Sequence, residues 1–395
     1  MRIVMIGPFG LKPKMTMASR ALPLAKALVA RGHAVTMLLP PWSYPDDSGR
    51  VVEDGGVRVE NITLPPRRPL LFHFQTTRRL ITRALALKPD VIHCFKPKAY
   101  AGLAAWWVWQ LKRLRLTNVR LVVDADDWEG AGGWNDRENY SWAQKRMFAW
   151  QEQWGLRRCD ALTVASRALQ SIVWSMGVPP SRVFYVPNGV DIGSWKLEVG
   201  GPAADRSPIQ PSNYPTILLY TRFVEFKIER VLEVFGRVMQ SVPDARLLVI
   251  GKGLFGEEAQ LLEQAGALGW GDRIEYAGWP VELPATFARA DVAIYPFDDT
   301  LLNRTKCPVK LTELLAAGVP LVADAVGQIA EYIRHDKTGL LVPSGDVAAM
   351  AEALVALLTE RRRARALGGA AAREVRARFG WDRLAEIAEQ AYTPR

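Results

Sequence analysis

Apolar and polar positions along this chain switch repeatedly between two periods. Arg2-Ile-Val-Met-Ile6 is an almost unbroken apolar run closed by Gly7-Pro-Phe-Gly10, the pattern of a buried strand and its turn. Residues 18–31 then bring Leu22, Ala25 and Leu28 to one side at helical spacing, Gly32-His33 stops the helix, and Ala34–Leu39 is a second strand. Further strands are expected at 91–93, 121–124, 161–165 and 183–186, with a Trp-rich helix over 142–157. The alternation restarts at Thr216-Ile-Leu-Leu-Tyr220, followed by a helix carrying Val231, Leu232 and Phe235, and continues to a final helix over 381–392. Strand-helix alternation of this kind predicts parallel sheets covered on both faces. The stretch 193–215 is rich in Gly, Pro and Ser with no clear period and reads as a linker. The expected organisation is a Rossmann-like domain over 1–192, that linker, a second Rossmann-like domain over 216–375 and a terminal helix over 376–395.

Two segments of the second half carry chemistry. In Arg304-Thr-Lys306-Cys307-Pro308-Val309-Lys310-Leu-Thr-Glu313-Leu-Leu, the leucines recur at helical spacing, so a helix starts near Pro308 and stops at Gly318 and Pro320. A helix start behind a basic loop offers free backbone N–H groups and the positive end of its dipole to phosphate. Lys306 and Lys310 bracket that end, and Glu313, one turn in, is placed to accept from a ribose diol. A capped helix with ordinary surface charges is the plainer reading. Arg222 and Lys227 follow the strand that ends at Tyr220, at the edge where open α/β sheets bind ligands, and two cations there suit a diphosphate.

Together with Leu247-Leu-Val-Ile-Gly251-Lys-Gly253, Ile274-Glu-Tyr-Ala-Gly278, Ala290-Asp291-Val-Ala-Ile-Tyr-Pro296 and Thr338-Gly339-Leu-Leu-Val-Pro343, these segments stand in an order that resembles the family-4-like retaining glycosyltransferases of the GT-B fold, also called group 1. The resemblance implies two Rossmann-like domains facing a cleft, with the terminal helix crossing back to the first. It implies transfer of a sugar from a nucleotide-diphosphate donor to an acceptor hydroxyl, in cell-surface polysaccharide or glycolipid synthesis, with no cofactor and no metal. Arg222 and Lys227 would neutralise the leaving diphosphate. Gly7, Gly10, Gly251, Lys306, Cys307, Pro308, Val309 and Glu313 would bind donor. The family usually carries two glutamates separated by seven intervening residues; Glu313 matches the second, and Thr305 stands in place of the first.

Asp124-Ala-Asp126-Asp127-Trp128 follows a strand in the first half. Asp124 and Asp126 mimic an Asp-x-Asp metal motif, but that motif belongs to the other glycosyltransferase fold. Many members of the family have His-Asp about here, where this chain has Asp126-Asp127. These two are expected at the catalytic centre, and Asp124, Trp128, Lys12 and Thr16 at the acceptor; Lys14 and Arg20 are further candidates for anionic groups. Trp128 and Trp134 read equally as sugar-stacking rings or as core. His93 reads as a structural histidine, and Asn188-Gly189-Val-Asp191 as a hinge turn. The two departures leave open a catalytically silent nucleotide-sugar-binding protein, and the fold leaves open a sugar-nucleotide epimerase.

Charge sharpens the picture of partners. Residues 1–192 hold 27 Lys and Arg against 15 Asp and Glu, and the remainder 24 against 26. No nucleic-acid motif accompanies the basic half, so nucleic acid is not expected as a partner. Arg67-Arg68 and Arg78-Arg79 are interleaved with large apolar residues, which fits either an anionic membrane surface or one packed layer of the fold; for Trp106, Trp107 and Trp109 packing is the preferred reading. Cys94, Cys159 and Cys307 are too widely spaced for a disulfide framework or a zinc site and suit a reducing compartment. Met1-Arg-Ile-Val-Met-Ile lacks the order of a signal peptide, and no apolar run reaches the ~20 residues of a membrane span. A cytoplasmic protein, peripheral on the inner face of the membrane, is expected.

Overall fold

A computed structural model describes all residues except Lys14, Pro69, 191–213, Val281 and Arg395. The linker expected over 193–215 lies almost wholly outside the described residues, as do Lys14 and Asp191. The chain divides into two compact units: Met1–Gly189 with Thr305–Cys307 and Trp381–Arg395, and Val190–Arg304 with Pro308–Gly380.

The first unit is built on β1 (Arg2–Ile6), β2 (Ala34–Leu39), β3 (Val51–Asp54), β4 (Val57–Asn61), β5 (Val91–Phe95), β6 (Arg120–Ala125), β7 (Ala161–Val164) and β8 (Val183–Tyr185). They form one sheet in the order β3-β4-β2-β1-β5-β6-β7-β8. Every pairing is parallel except β3 with β4. The hairpin escaped sequence reading because Val51-Val-Glu-Asp54 is exposed throughout and shows no apolar alternation.

Strand alternation distributes the core over both faces. Ile3 and Met5 pack with Leu24, Leu28 and the terminal helix on one face. Val4 and Ile6 pack with Leu80, Ala104 and Leu169 on the other. The helix Trp381–Tyr392 lays Leu384, Ala385, Ala388 and Ala391 onto the first of these faces. Glu389 fastens it: Arg31 donates to both its oxygens at 2.8 Å, and His33 Nε2 lies 2.8 Å away. The hydrogen bonds from Arg31 above all, and the contact with His33, hold the Glu389 carboxyl down at about 2. The expected helix over 18–31 begins instead with a π-helical turn, Met17–Ala21, before Leu22–Ala30. The Trp-rich helix runs Trp142–Arg157 and starts in a capping box between Ser141 and Gln144.

The second unit contains β9 (Thr216–Thr221), β10 (Arg246–Gly251), β11 (Ile274–Tyr276), β12 (Val292–Tyr295), β13 (Leu321–Asp324) and β14 (Leu340–Val342). Their order is β11-β10-β9-β12-β13-β14, all parallel. Order reverses at β9, so the loop after it lies at a topological switch point, where such sheets bind ligands. Ile217 and Leu219 of β9 pack against Val231, Leu232, Phe235 and Val238 of the helix Ile228–Ser241. Among the described residues, no helix is long and apolar enough to cross a membrane.

Candidate functional site

In the second unit the chain leaves β9 through Thr221, whose hydroxyl accepts from Phe223 N at 2.7 Å and tightens the turn. Phe223 holds φ at 62°, a conformation seldom adopted outside glycine. Arg222, half-buried, and Lys227, exposed, stand on either side of it. Neither forms an ion pair among the described residues. Lys227 immediately precedes the helix Ile228–Ser241 and its side chain caps nothing.

Glu313 belongs to the helix Val309–Ala316, which begins after Pro308 without a side-chain cap. Pro308, at its N-cap, has no side-chain acceptor to offer the N–H groups of the first turn. The Glu313 carboxyl lies in hydrogen-bonding reach of the Tyr220 hydroxyl at the end of β9. Its Oε2 is buried with no hydrogen-bond partner. Burial pushes the carboxyl above its ordinary range, against the pull of Tyr220 and Lys310. Lys310 Nζ stands 5.5 Å from the Tyr220 ring centroid and 5.8 Å from that of Trp279. Glycine at 251 has a reason independent of any ligand: at φ 115° an added Cβ would lie 1.9 Å from Thr221 O.

Thr305, Lys306 and Cys307 belong to the first unit. Ser166 Oγ donates to Thr305 O at 2.7 Å, and Asn188 donates from Nδ2 to Cys307 O at 2.6 Å and from its backbone to Cys307 Sγ at 3.0 Å. Thr305 is wholly buried, so a glutamate there would be desolvated. Asn188 thus does more than turn the chain.

The expectations for β6 need correction. Asp124 has no exposed surface, and Arg20 grips it from Nε at 2.8 Å and Nη2 at 2.6 Å. Thr163 donates to the same carboxylate at 2.5 Å. Arg20 also donates to Val186 O at 2.8 Å and Asn188 Oδ1 at 3.1 Å. With its oxygens engaged inside the protein, Asp124 is a structural group rather than an acceptor ligand, cannot chelate a metal beside Asp126, and Arg20 is not available to an external anion. His93 continues the network, at 3.1 Å from Thr163 Oγ1 and 2.9 Å from the Tyr392 hydroxyl. Burial lowers His93 to about 4, which keeps it neutral.

Asp126 and Asp127 are placed differently. Lys96, at φ 60° just beyond β5, reaches Asp126 Oδ2 at 3.4 Å, Asp127 Oδ2 at 3.2 Å and Glu129 Oε1 at 3.4 Å. Burial raises Asp126 to about 6 despite Lys96. Behind it, Lys98 binds Glu129 at 2.6 Å, and the Glu129 N–H donates to Glu152 at 2.8 Å. Glu152 is buried and pushed up to about 8, so near neutral pH it is largely a neutral carboxyl. Sequence reading passed over Lys96 and Glu152, which have no motif; the signal that exposes them is burial of charge.

Trp128 is core: it is 8% exposed, packs against the face that carries Val123, and donates from Nε1 to Ala131 O at 2.9 Å. Gly7 is required by packing, since a Cβ would meet Leu39 and Met17 at 2.8 Å; Gly10 has no such crowding. Lys12 is exposed, and Thr16 is half-buried with no capping bond. Lys306 is largely buried, its Nζ 5.0 Å from the Trp134 ring centroid.

Comparison with known proteins identifies this arrangement. Residues 16–189 match the glycosyl transferase 4-like domain, and residues 214–360 the glycosyl transferases group 1 domain. The chain belongs to the family-4-like, group 1 glycosyltransferases. It is 31% identical over 369 residues, 90% of this chain and 88% of the other, to the GDP-mannose-dependent alpha-(1-6)-phosphatidylinositol monomannoside mannosyltransferase of Mycobacterium tuberculosis. It is 27% identical over 410 residues, 99% of this chain and 96% of the other, to the phosphatidyl-myo-inositol mannosyltransferase of Mycobacterium leprae. Sucrose-phosphate synthase from Thermosynechococcus elongatus has the same fold, with a TM-score of 0.69 at 22% identity over 99% of this chain and 98% of that one. The glycosyltransferase thus has the two parallel-sheet domains typical of GT-B, and its class is that of enzymes drawing on a nucleotide sugar.

Proposed function

We propose that this glycosyltransferase moves a hexosyl unit, mannose being the first to test, from a nucleotide-diphosphate sugar to a hydroxyl of a lipid-linked glycan, retaining configuration and using no metal. The observation that carries this reading is the presence, in one unit, of two cations in the loop after β9 that form no ion pair among the described residues, Arg222 and Lys227, and a buried Glu313 with one oxygen unsatisfied among those residues. Glu313 Oε2 accepts from a ribose hydroxyl. Arg222 and Lys227 stabilise the charge that develops on the diphosphate as the glycosidic bond breaks, with N–H groups of the helix Val309–Ala316 adding to it. In a retaining route the leaving phosphate removes the acceptor proton on the same face, so no separate base is required. Asp126 and Asp127 orient the acceptor hydroxyl. The mannosyltransferase relatives, one named for GDP-mannose and phosphatidylinositol monomannoside and the other for phosphatidyl-myo-inositol, support GDP-mannose and a phosphatidylinositol-type lipid as the first pair to try.

The purified protein is to be incubated with UDP-, GDP-, ADP- and TDP-sugars while thermal stabilisation and release of nucleoside diphosphate are followed. Stabilisation and slow hydrolysis by one donor are expected. Stabilisation with no turnover, even with membrane extract present, would make this a silent binding protein; no stabilisation by any donor would remove the roles given to Arg222, Lys227 and Glu313.

The lipid-linked acceptor is supported by a second surface. Leu70 and Phe74, 84% and 57% exposed, and Leu71 open the helix Leu71–Ala86, and exposed Arg67, Arg68 and Arg78 flank them. Cations around exposed apolar side chains suit an anionic bilayer. Sedimentation with anionic but not zwitterionic vesicles, reduced by Leu70→Ser with Phe74→Ser, is expected; equal binding to both vesicle types would reject this surface.

A further inference from the structure

The loop 222–227 carries both cations assigned to the diphosphate, and neither Arg222 nor Lys227 is held by an ion pair among the described residues. Where their charges stand therefore depends on the main chain between them. Phe223 in that stretch has φ 62°, a conformation that a residue other than glycine keeps only when its surroundings over-determine it. The loop is tied at two points. At its start Thr221 Oγ1 accepts from Phe223 N at 2.7 Å. In its middle Glu225 O accepts from Asn303 Nδ2 at 2.8 Å and from Asp298 N at 2.8 Å.

Asn303 comes from a different part of the same unit. It lies in the short helix Leu301–Thr305, after β12, the strand that pairs with β9. Its Nδ2 carries two hydrogens and meets two carbonyls, Glu225 O and, at 2.9 Å, Asp298 O. Its own main chain is fixed in turn: Asn303 N donates to Thr300 Oγ1 at 3.2 Å, and Thr300 N donates to Asp298 O at 2.9 Å. Arg230, in the helix that follows Lys227, adds ion pairs to Asp298 at 3.3 Å and to Asp324 at 2.8 Å. The segment 298–303 thus clasps the cation loop at its middle and braces the helix beyond it.

The clasp is built to hold. Asn303 is 2% exposed, so its bond to Glu225 is not shared with bulk water. Stabilising charge that develops in a reaction requires donors already in place, and misplacement by about 1 Å can cost about 100-fold in rate. A loop released at Glu225 would let both charges spread over several positions.

We propose that Asn303 is a positioning residue for the transfer reaction: through the Glu225 carbonyl it sets where Arg222 and Lys227 stand against the diphosphate. This rests on the transferase reading above.

The test separates the diphosphate from the rest of the nucleotide. UDP, GDP, ADP and TDP, each beside its own nucleoside, are titrated into the full chain and followed by saturation-transfer NMR, which reads weak binding. Asn303→Ala, Arg222→Ala and Lys227→Ala are compared with the wild type, with Asn303→Ser as a milder variant and urea midpoints as the check on folding. The wild type is expected to bind one nucleoside diphosphate more tightly than its nucleoside. Asn303→Ala should weaken that diphosphate about tenfold, the effect of losing one buried hydrogen bond, and leave the nucleoside within about twofold. Combined with Arg222→Ala and Lys227→Ala, it should add little further loss, because it acts through those cations. An equal loss for nucleoside and diphosphate, or failure of both Asn303 variants to fold, would make Asn303 a purely structural residue and overturn the proposal. Full diphosphate affinity in a folded Asn303→Ala, with Arg222→Ala and Lys227→Ala weakened, would overturn it while the transferase reading stands. Unchanged binding in Arg222→Ala and Lys227→Ala, or no binding of any diphosphate by the wild type, would remove that reading and the proposal with it.

Discussion

The carboxyl ends of β6 and β9 both carry charged residues in a parallel sheet, yet the two treat charge in opposite ways. At β6, Arg20 and Asp124 are buried together, saturated by Thr163, Val186 and Asn188. At β9, Arg222 and Lys227 form no ion pair among the described residues, and Glu313 keeps one oxygen unsatisfied. Charge that is fully answered inside the protein holds the fold. Charge left unanswered beside a sheet edge is, in the proposed function, held for a ligand. Asp126 and Asp127 fall between, tethered by Lys96 on one oxygen each.

The largest effect that would test this contrast is on turnover. Arg222→Ala or Lys227→Ala should lower kcat by about 100-fold or more, the usual cost of removing a group that stabilises transition-state charge. The urea midpoint should stay close to that of the wild type, because neither side chain is engaged in the fold; near-normal turnover would break the assignment. Arg20→Ala should show the reverse. It strands a buried Asp124, and chemical denaturation should report a loss of about 3–5 kcal/mol. A melting curve unchanged by that substitution would mean that the β6 network is not structural.

Next in size is donor affinity. Glu313→Ala should raise the donor KM by about 10- to 100-fold, the worth of hydrogen bonds to a carboxylate. Thermal shift with the bare nucleoside diphosphate should weaken in parallel, because the ribose is common to both.

Stability against pH separates the second layer of β6. Glu152 has its pKa raised from 4.5 to about 8 by burial, so its protonated form belongs to the folded state. Its contribution is complete below pH 4.5 and is lost as pH rises towards 8, at up to about 1.4 kcal/mol per unit. Asp126 acts in the same direction between 3.8 and about 6. Glu152→Gln should flatten the upper part of that fall, and an unaltered pH profile would place a charged Glu152 in the fold. Glu389 has the opposite sign: held down at about 2, it contributes above pH 4.5 and loses its effect as the solution becomes more acid. Its pairing with the exposed Arg31 is screened by solvent, so Glu389→Gln should shift the urea midpoint only slightly near neutral pH.

Much of this molecule was legible along the chain. The Trp-rich helix, the strands at 2–6 and 34–39, and the switch to a second α/β half follow from period and punctuation, because burial of a strand or helix face leaves a local trace. The placement of Arg222 and Lys227 after a strand and of Glu313 one turn into a helix was legible for a similar reason, while their part in donor binding rests on the proposed function. The hairpin was missed because Val51–Asp54 is exposed throughout and leaves no such trace, and the alternation in the buried Val57–Asn61 spans only Val57 and Val59.

What the sequence alone determined is the class: two parallel α/β halves, cations after the first strand of the second half, and the family order of motifs. Tertiary structure decided which charges are available. Asp124 and Asp126 stand two residues apart and look equivalent in sequence. β6 ends at Ala125: Asp124, still within the strand, meets an arginine 104 positions away, while Asp126 lies beyond the strand end beside Lys96. The partner that neutralises a buried charge comes from a distant part of the chain, so only the folded molecule shows which carboxylate is already answered.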